Sequence, residues 1–291
     1  MTQTQTIRKC LFPVAGYGTR FLPATKSMPK EMLPVVNKPL IQYAVEEAME
    51  AGINKMGFIT GRGKRAIADY FDNNYELEHE IAGSSKEQNL SDINAVMDNG
   101  QFIFMRQREM LGLGHAILTG EPIIGDEPFA VILADDLCVA PLNQHKQKTD
   151  TLRAMSQLID LYNQYQCCIV AIEEVPKEDT ASYGIICGDE IAPGIYDVDD
   201  MVEKPKPADA PTNMAIIGRY VLTPQIFDYL RETKPGTNGE IQITDALKQV
   251  AKEERVIAVK FAGERFDCGS VEGFVQATNY FFEHEFKKSV N

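Results

Sequence analysis

Short apolar, β-branched runs alternate with segments of helical period along the first half of this chain. The runs at residues 9–15, 55–60, 102–105 and 129–133 have the length and composition of buried strands. Between the first two, residues 40–50 place apolar side chains at the spacing of an amphipathic helix. This alternation is typical of βαβ units, which build a mostly parallel sheet flanked by helices.

The second half continues with strands and helices in a less regular order. We predict strands at 168–172, 183–187, 197–202, 214–222 and 256–261, and helices at 114–121, 150–165, 224–231, 244–253 and 271–284. The polar stretch 82–99 is interpreted as a surface excursion or a short helical insertion. Together the elements predict an α/β fold, Rossmann-like and doubly wound, with a mixed and mostly parallel sheet in a single domain spanning residues 1–291.

Charge and composition exclude several classes of protein. A net charge of −13 argues against duplex DNA binding, which needs a basic face, so no nucleic acid partner is expected. The chain has no apolar run of about 18 residues, and residues 1–6 lack the apolar stretch of a secretory signal. Six cysteines without C-x-x-C spacing predict free thiols. We therefore expect a cytoplasmic protein with no membrane association.

The loop after the first strand is the most informative segment. It has the sequence AGYGTRFLP at 15–23, followed by MPKEMLP at 28–34. Gly16 and Gly18 allow close approach of backbone N–H groups to phosphate oxygens, while Arg20 and Lys30 supply positive charge. The third glycine of a dinucleotide fingerprint is replaced by Phe21, and no P-loop motif occurs. The pattern therefore predicts a different kind of phosphate-binding loop.

This loop resembles the signature of nucleotidyltransferases that make nucleotide sugars, in particular bacterial UTP–glucose-1-phosphate uridylyltransferases. The resemblance extends over nearly the whole chain and implies the nucleotide-diphospho-sugar transferase fold. It implies a nucleotide-binding half at about 8–140 and a sugar-phosphate-binding half with C-terminal helices at about 141–291. It also implies that Arg20 and Lys30 are catalytic and face the phosphates, and that the nucleotide contacts Ala15, Gly16, Gly18, Gln107 and Gly112.

The region LGLGHA at 111–116 corresponds to the part of the family that contacts the base. The amide of Gln107 can meet the donor and acceptor edge of uracil, and Gly112 lets the base lie against the backbone. We expect a structural role for His115, because transfer between phosphates needs no general base.

Two carboxylates follow the strand at 129–133, at the sheet edge where α/β folds bind ligands. One of them is expected to hold Mg²⁺, and the resemblance assigns this role to Asp135, leaving Asp136 to support the loop. Residue 134 is alanine, whereas proline is usual at this position in the family, and we expect the difference to affect the rigidity of the loop. The resemblance names Asp245, within GEIQITDA at 239–246, as the second ligand, and gives Asp267 a supporting role.

Three further segments resemble the sugar-phosphate pocket of the family. They are SYGI at 182–185, VEKP at 202–205 and IGRY at 217–220. Glu203 can accept hydrogen bonds from sugar hydroxyls, the catalytic Lys204 can meet the sugar phosphate, and Gly184 and Gly218 leave room for the pyranose ring.

The resemblance implies direct in-line transfer of a uridylyl group from UTP to glucose 1-phosphate with magnesium. The residues leave two rivals open. The first rival is a thymidylyl- or other nucleotidyltransferase that acts on the same sugar phosphate. The second is a nucleotide-sugar sensor without turnover. A homo-oligomer, dimer or tetramer, is expected for an α/β enzyme of this size.

Overall fold

The computed structural model describes residues 6–141, 153–236 and 239–287; residues 1–5 of the polar N-terminal segment lie outside these ranges. The strands are β1 Lys9–Val14, β2 Pro34–Val35, β3 Lys38–Pro39, β4 Lys55–Thr60, β5 Gln101–Arg106, β6 Phe129–Ile132, β7 Asp136–Val139, β8 Cys168–Glu174, β9 Gly184–Ala192, β10 Ile195–Glu203, β11 Met214–Leu222, β12 Val256–Lys260 and β13 Glu264–Asp267. The α-helices are α1 Leu40–Glu50, α2 Arg65–Tyr70, α3 Tyr75–Ile81, α4 Ser91–Asn99, α5 Leu113–Thr119, α6 Glu121–Ile124, α7 Ala154–Tyr165, α8 Ile226–Glu232, α9 Ile243–Glu253 and α10 Val271–Phe281.

Nine of these strands form one mixed sheet in the order β5-β4-β1-β6-β11-β8-β12-β10-β9. Strands β5, β4, β1 and β6 are mutually parallel, and β8 and β12 are parallel to each other. Strand β11 runs antiparallel to both β6 and β8, and β10 runs antiparallel to β12 and β9. The predicted α/β fold with a mixed sheet is confirmed, and the parallel strands direct their carboxyl ends to one edge.

Helices cover both faces of this sheet, as alternate residues of β1 illustrate. Cys10, Phe12 and Val14 pack on one face with side chains of α1, α4 and α7. Leu11 points to the opposite face, where it joins side chains of α5, α8 and α9. Because both faces are buried, a site for a ligand is left at the strand ends and the loops that follow them.

Several predicted boundaries differ from the observed ones. Within the polar stretch 82–99 the helical interpretation is confirmed, since α4 buries Ile93 and Val96 in the core. The helix predicted at 114–121 ends at Thr119, and a new helix begins at Glu121 after Gly120. The last helix ends at Phe281 and continues as a π-helical turn. The predicted start of the helix at 150–152 lies outside the described residues.

A two-stranded ribbon, β7 with β13, was absent from the predicted elements. It is antiparallel, and its register sets Asp267 opposite Asp136. The ribbon thus carries the segment RFDCG at 265–269 back to the loop that follows β6. This pairing is not evident from the sequence, because more than 120 residues separate the two aspartates.

All six cysteines are free thiols, as predicted, and Cys187 is half-buried while the others are buried. Over the ranges that the structure describes, no helix combines the length and the apolar character needed to cross a membrane.

Candidate active site

A cavity of about 880 Å³ opens at the carboxyl edge of the parallel strands. Its walls come from the loops after β1, β5 and β6 and from the segments around β9, β10 and β11. All but one of the predicted site residues line it: Ala15, Gly16, Gly18, Arg20, Lys30, Gln107, Gly112, Asp135, Gly184, Glu203, Lys204 and Gly218. Asp245 is the one predicted site residue that is absent from the cavity lining in the described part of the chain.

The loop after β1 is shaped by one glycine in particular. Gly18 has φ +66°, in the left-handed region, and an added Cβ would lie 2.9 Å from the Cβ of Lys30. Thr25 Oγ1 donates a hydrogen bond of 2.7 Å to the carbonyl oxygen of Gly18. A side chain at position 18 would therefore strain the turn and displace Lys30. Around Gly16 the described residues leave open space, so its role is not steric.

Lys30 and Asp135 form an ion pair across the cavity wall, with 2.5 Å between Nζ and Oδ2. Burial acts to raise the pKa of Asp135, but the Lys30 ammonium outweighs it and holds that pKa below its usual value. Burial acts to lower the pKa of Lys30, but Asp135 and Glu31 raise it above its usual value. Both side chains are therefore charged at neutral pH.

A second carboxylate, that of Asp267, converges on Asp135. An added Cβ at Gly269 would lie 2.9 Å from Asp267 Oδ1 and 3.1 Å from Asp135 Oδ2, so only glycine leaves the space between them open. The Gly269 N–H donates to Asp267 Oδ1, and Arg20 Nη1 donates to the Gly269 carbonyl at 3.3 Å. Asp267, Asp135 and Arg20 therefore meet at one point of the cavity.

Asp245, the predicted second acid, lies outside the lining of the cavity. It lies half-buried in the first turn of α9, and its pKa is raised by burial and by the neighbouring Glu203. Consecutive helical residues point about 100° apart, and the preceding Ile243 and Thr244 line the cavity whereas Asp245 does not. Asp267, to which only a supporting role was assigned, does line the cavity and lies close to Asp135.

Asp135 and Asp267 suit a magnesium ion that takes its remaining ligands from substrate and water. They are too few for a metal ion whose ligands are all protein side chains. Within residues 6–141, 153–236 and 239–287, no three His, Cys, Asp or Glu side chains are grouped as a metal site. Magnesium in phosphate-transfer sites takes one or two carboxylates and fills its other positions with phosphate oxygens and water. Asp135 and Asp267 satisfy that requirement.

Gln107 is nearly buried, with 6% of its surface exposed, and its amide is held in place. Nε2 lies 3.2 Å from the Gly112 carbonyl oxygen and 2.9 Å from His115 Nδ1. Gly112 has φ +94°, and an added Cβ would lie 2.9 Å from the carbonyl oxygen of Ile241. Position 112 therefore needs glycine because the chain at 240–241 packs against it, a reason that the local sequence does not reveal.

The sugar side of the cavity is built around Glu203. Its Oε2 accepts a hydrogen bond of 2.7 Å from Thr244 Oγ1, and its Oε1 lies 3.3 Å from Lys204 Nζ. An added Cβ at Gly184 would lie 2.7 Å from Thr244 Oγ1. Lys204 is exposed and has φ +46°, an uncommon conformation for a residue with a side chain.

Asp136 supports the loop through hydrogen bonds, as predicted. Its Oδ2 accepts from the Gly218 N–H at 2.8 Å, and its Oδ1 accepts from Arg265 Nε at 2.7 Å. An added Cβ at Gly218 would lie 2.6 Å from Asp136 Oδ2. Arg265 also donates to Glu173 at 2.9 Å and was missed by the sequence analysis.

Two further buried ion pairs lie next to residues that line the cavity. Arg219 donates to Glu47 through Nε at 3.0 Å and Nη2 at 2.8 Å, and both side chains are buried. Lys64 Nζ lies 2.7 Å from Glu31 Oε2, beside Lys30, and burial raises the pKa of Glu31. Neither pair has a local sequence signal, because the partners are distant along the chain.

Comparison with known proteins identifies the family of this chain. The nucleotidyl transferase family model matches residues 13–283. The chain is 60% identical to the UTP–glucose-1-phosphate uridylyltransferase of Pseudomonas aeruginosa, over 97% of this chain and 98% of that protein. A solved UDP-glucose pyrophosphorylase complexed with UDP-glucose is 55% identical, with a TM-score of 0.87, covering 96% of this chain and 99% of that one. A UTP-bound enzyme from Acinetobacter baumannii is 37% identical, with a TM-score of 0.84, covering 98% and 99%. The chain therefore belongs to the nucleotidyl transferase family, among relatives named UTP–glucose-1-phosphate uridylyltransferase.

Proposed function

We propose that the chain transfers a uridylyl group from UTP to glucose 1-phosphate, giving UDP-glucose and pyrophosphate. The observation that carries the proposal is one cavity whose lining includes the cations Arg20, Lys30 and Lys204 and the converging carboxylates Asp135 and Asp267. These charges suit two phosphate-bearing substrates and a divalent cation. The relatives named for this reaction, and the solved structures that hold UTP or UDP-glucose, support the same function.

The proposed reaction is a single in-line displacement without a covalent enzyme intermediate. A phosphate oxygen of glucose 1-phosphate forms a bond to the α-phosphorus of UTP. The bond from that phosphorus to the bridging oxygen breaks, and the oxygen leaves with pyrophosphate. Because the attacking phosphate is already ionised, no general base is required, and catalysis consists of positioning and charge neutralisation.

The cations have separable roles in this displacement. Lys30 and Lys204 draw the two reacting phosphates together against their mutual repulsion. Arg20, whose guanidinium is held at the Gly269 carbonyl, neutralises charge on the leaving pyrophosphate. Glu203 accepts hydrogen bonds from the sugar, and Gln107 meets the base.

We also propose magnesium as the cofactor, held by Asp135 and Asp267 rather than by Asp135 and Asp245. When bound, the ion supplies positive charge to the phosphate oxygens. The space that Gly269 leaves between the two carboxylates supports this assignment.

Pyrophosphate release by the purified protein tests the function. Glucose 1-phosphate and Mg²⁺ are supplied with UTP, dTTP, CTP or ATP separately, and a chelator serves as the control. Release with UTP, abolished by the chelator, is expected. Release with dTTP in preference to UTP would move the assignment to a thymidylyltransferase, and no release with any nucleotide would favour a sensor.

Replacing Lys204 by alanine is expected to raise the KM for glucose 1-phosphate and to lower kcat, together by about 10²-fold in kcat/KM, because a charge that meets the sugar phosphate is lost. Steady-state kinetics with varied glucose 1-phosphate measure both constants. Lys206→Ala is the matched control, since Lys206 is an exposed lysine two residues away that does not line the cavity. Equal values of kcat and KM for the two variants would show that Lys204 does not meet the sugar phosphate.

Other expectations from the sequence stay predictions. These are a cytoplasmic location, a dimer or tetramer, the Rossmann-like doubly wound description of the sheet, and the division into nucleotide and sugar-phosphate halves.

A further inference from the structure

The contact of Gln107 with the Gly112 carbonyl oxygen identifies which atom of the amide is the nitrogen. Nε2 lies 3.2 Å from the carbonyl oxygen of Gly112. A carbonyl oxygen has no hydrogen to donate, so the amide nitrogen, and not the amide oxygen, must face it. The usual ambiguity between amide nitrogen and oxygen is therefore resolved by this contact.

The same nitrogen lies 2.9 Å from Nδ1 of His115, the shorter of its two contacts. Since the NH₂ group donates, Nδ1 must accept, which requires a neutral imidazole with its proton on Nε2. Both amide hydrogens of Gln107 are then engaged. In the described part of the chain Oε1 accepts no hydrogen bond, while Gln107 lines the cavity.

We propose that His115 determines base specificity by making Gln107 present only an acceptor to the nucleotide base. This inference rests on the proposed function. Uracil carries a hydrogen on N3 that can donate to Oε1, whereas the corresponding ring nitrogens of cytosine and adenine are acceptors. A site that offers only an acceptor at this point therefore favours uracil. With cytosine or adenine, the acceptor nitrogen of the base would face the acceptor Oε1 of Gln107, and no hydrogen bond could form.

His115 acts as a positioning residue, because the cavity lining includes Gln107 but not His115. Its place on α5 is held by the helix itself, in which Thr119 Oγ1 donates to the His115 carbonyl oxygen at 2.8 Å. With an apolar side chain at 115, only the longer contact, 3.2 Å to the Gly112 carbonyl oxygen, would hold the amide nitrogen of Gln107 in place. The amide could then turn over and present its N–H to N3 of cytosine, so the discrimination between the bases would fall.

Two substitutions separate this role from simple packing. His115→Phe keeps a planar ring but removes the acceptor, whereas His115→Asn keeps an acceptor, because its Oδ1 occupies a position similar to that of Nδ1. We expect His115→Phe to lower the ratio of kcat/KM for UTP to that for CTP by about tenfold, the worth of one hydrogen bond. His115→Asn should retain the ratio to within about threefold. His115→Leu serves as a second variant without an acceptor.

The kinetic constants should change selectively. In His115→Phe the KM for UTP rises while kcat and the KM for glucose 1-phosphate are retained. The ratio of UTP to dTTP should also be retained, because thymine has the same N3–H. Calorimetric binding of UDP and CDP gives the same comparison without turnover, and thermal unfolding of each variant verifies the fold.

An unchanged UTP to CTP ratio in folded His115→Phe and His115→Leu would overturn the proposal. An equal loss of the ratio in His115→Asn would do the same, since it would point to packing rather than to the acceptor. Failure of the proposed function can be distinguished from failure of this inference. If the proposed function were wrong, the unsubstituted protein would show no turnover, and the ratio of UDP to CDP affinity in the variants would still test the role of His115.

Discussion

Turnover is expected to fall by at least about a hundredfold when Asp135 is replaced by asparagine, a change that keeps the shape of the side chain and removes its charge. Asp135 is the partner of Lys30 at 2.5 Å and lies beside Asp267 at the space left by Gly269. Its loss removes a proposed magnesium ligand and leaves Lys30 without its anchor. Pyrophosphate release over a range of Mg²⁺ concentrations measures the effect, and a higher Mg²⁺ requirement should accompany the loss.

The same assay decides between the two candidates for the second acid. Asp267→Asn should produce a loss of the same kind, while Asp245→Asn is expected to stay within about threefold of the unsubstituted protein, because Asp245 lies outside the cavity lining. If Asp245→Asn instead lost as much activity as Asp135→Asn, the assignment of the acids to Asp135 and Asp267 would be wrong. Thermal unfolding of the three variants shows whether any loss comes from misfolding.

The periodic elements could be predicted closely from the sequence. Strands β4 and β11 and helix α1 have the bounds that were predicted, because each has a strong pattern of apolar residues over its whole length. The loop after β1 was also predicted to lie at the site, and its glycines and cations do line the cavity. The conformation of Gly18 and the charges of Arg20 and Lys30 are properties of a short segment. Local chemistry of this kind can be read from neighbouring residues alone.

The convergence of Asp267 on Asp135 could not be predicted in the same way. Asp245 and Asp267 are both acids in family-like segments, and only the pairing of β7 with β13 sets Asp267 beside the loop that carries Asp135. Likewise, position 112 requires glycine because of Ile241, which is distant along the chain. Contacts between distant segments depend on sheet order and register, which a single sequence does not specify.

The ion pair of Arg219 with Glu47 is the extreme case, since 172 residues separate partners that the structure buries completely. Arg219 also donates to the carbonyl oxygens of Leu133 and Asp136, on either side of the loop that bears Asp135. The guanidinium therefore joins the core to the loop that bears Asp135. Its charge is held by a single buried carboxylate and by carbonyl oxygens.

Replacing Arg219 by methionine is expected to destabilise the protein by roughly 3–5 kcal/mol, because Glu47 would remain buried without its counter-ion. The midpoint of urea unfolding measures the change. The matched control is Arg255→Met, which removes an exposed arginine that also makes two hydrogen bonds to one carboxylate, that of Asp197. Exposed pairs contribute about 0.2–1 kcal/mol, so the control should shift the midpoint little. Similar shifts for both variants would contradict the special role of the buried pair.

The double variant Glu47→Met with Arg219→Met separates the two parts of that loss. Removing both charges relieves the uncompensated carboxylate, so the double variant should be more stable than Arg219→Met alone. The hydrogen bonds to Leu133 and Asp136 remain lost, so recovery should be incomplete and activity should stay reduced even where the fold is regained. A double variant as unstable as Arg219→Met would mean that these carbonyl contacts, and not the orphaned charge, account for the stability that Arg219 contributes.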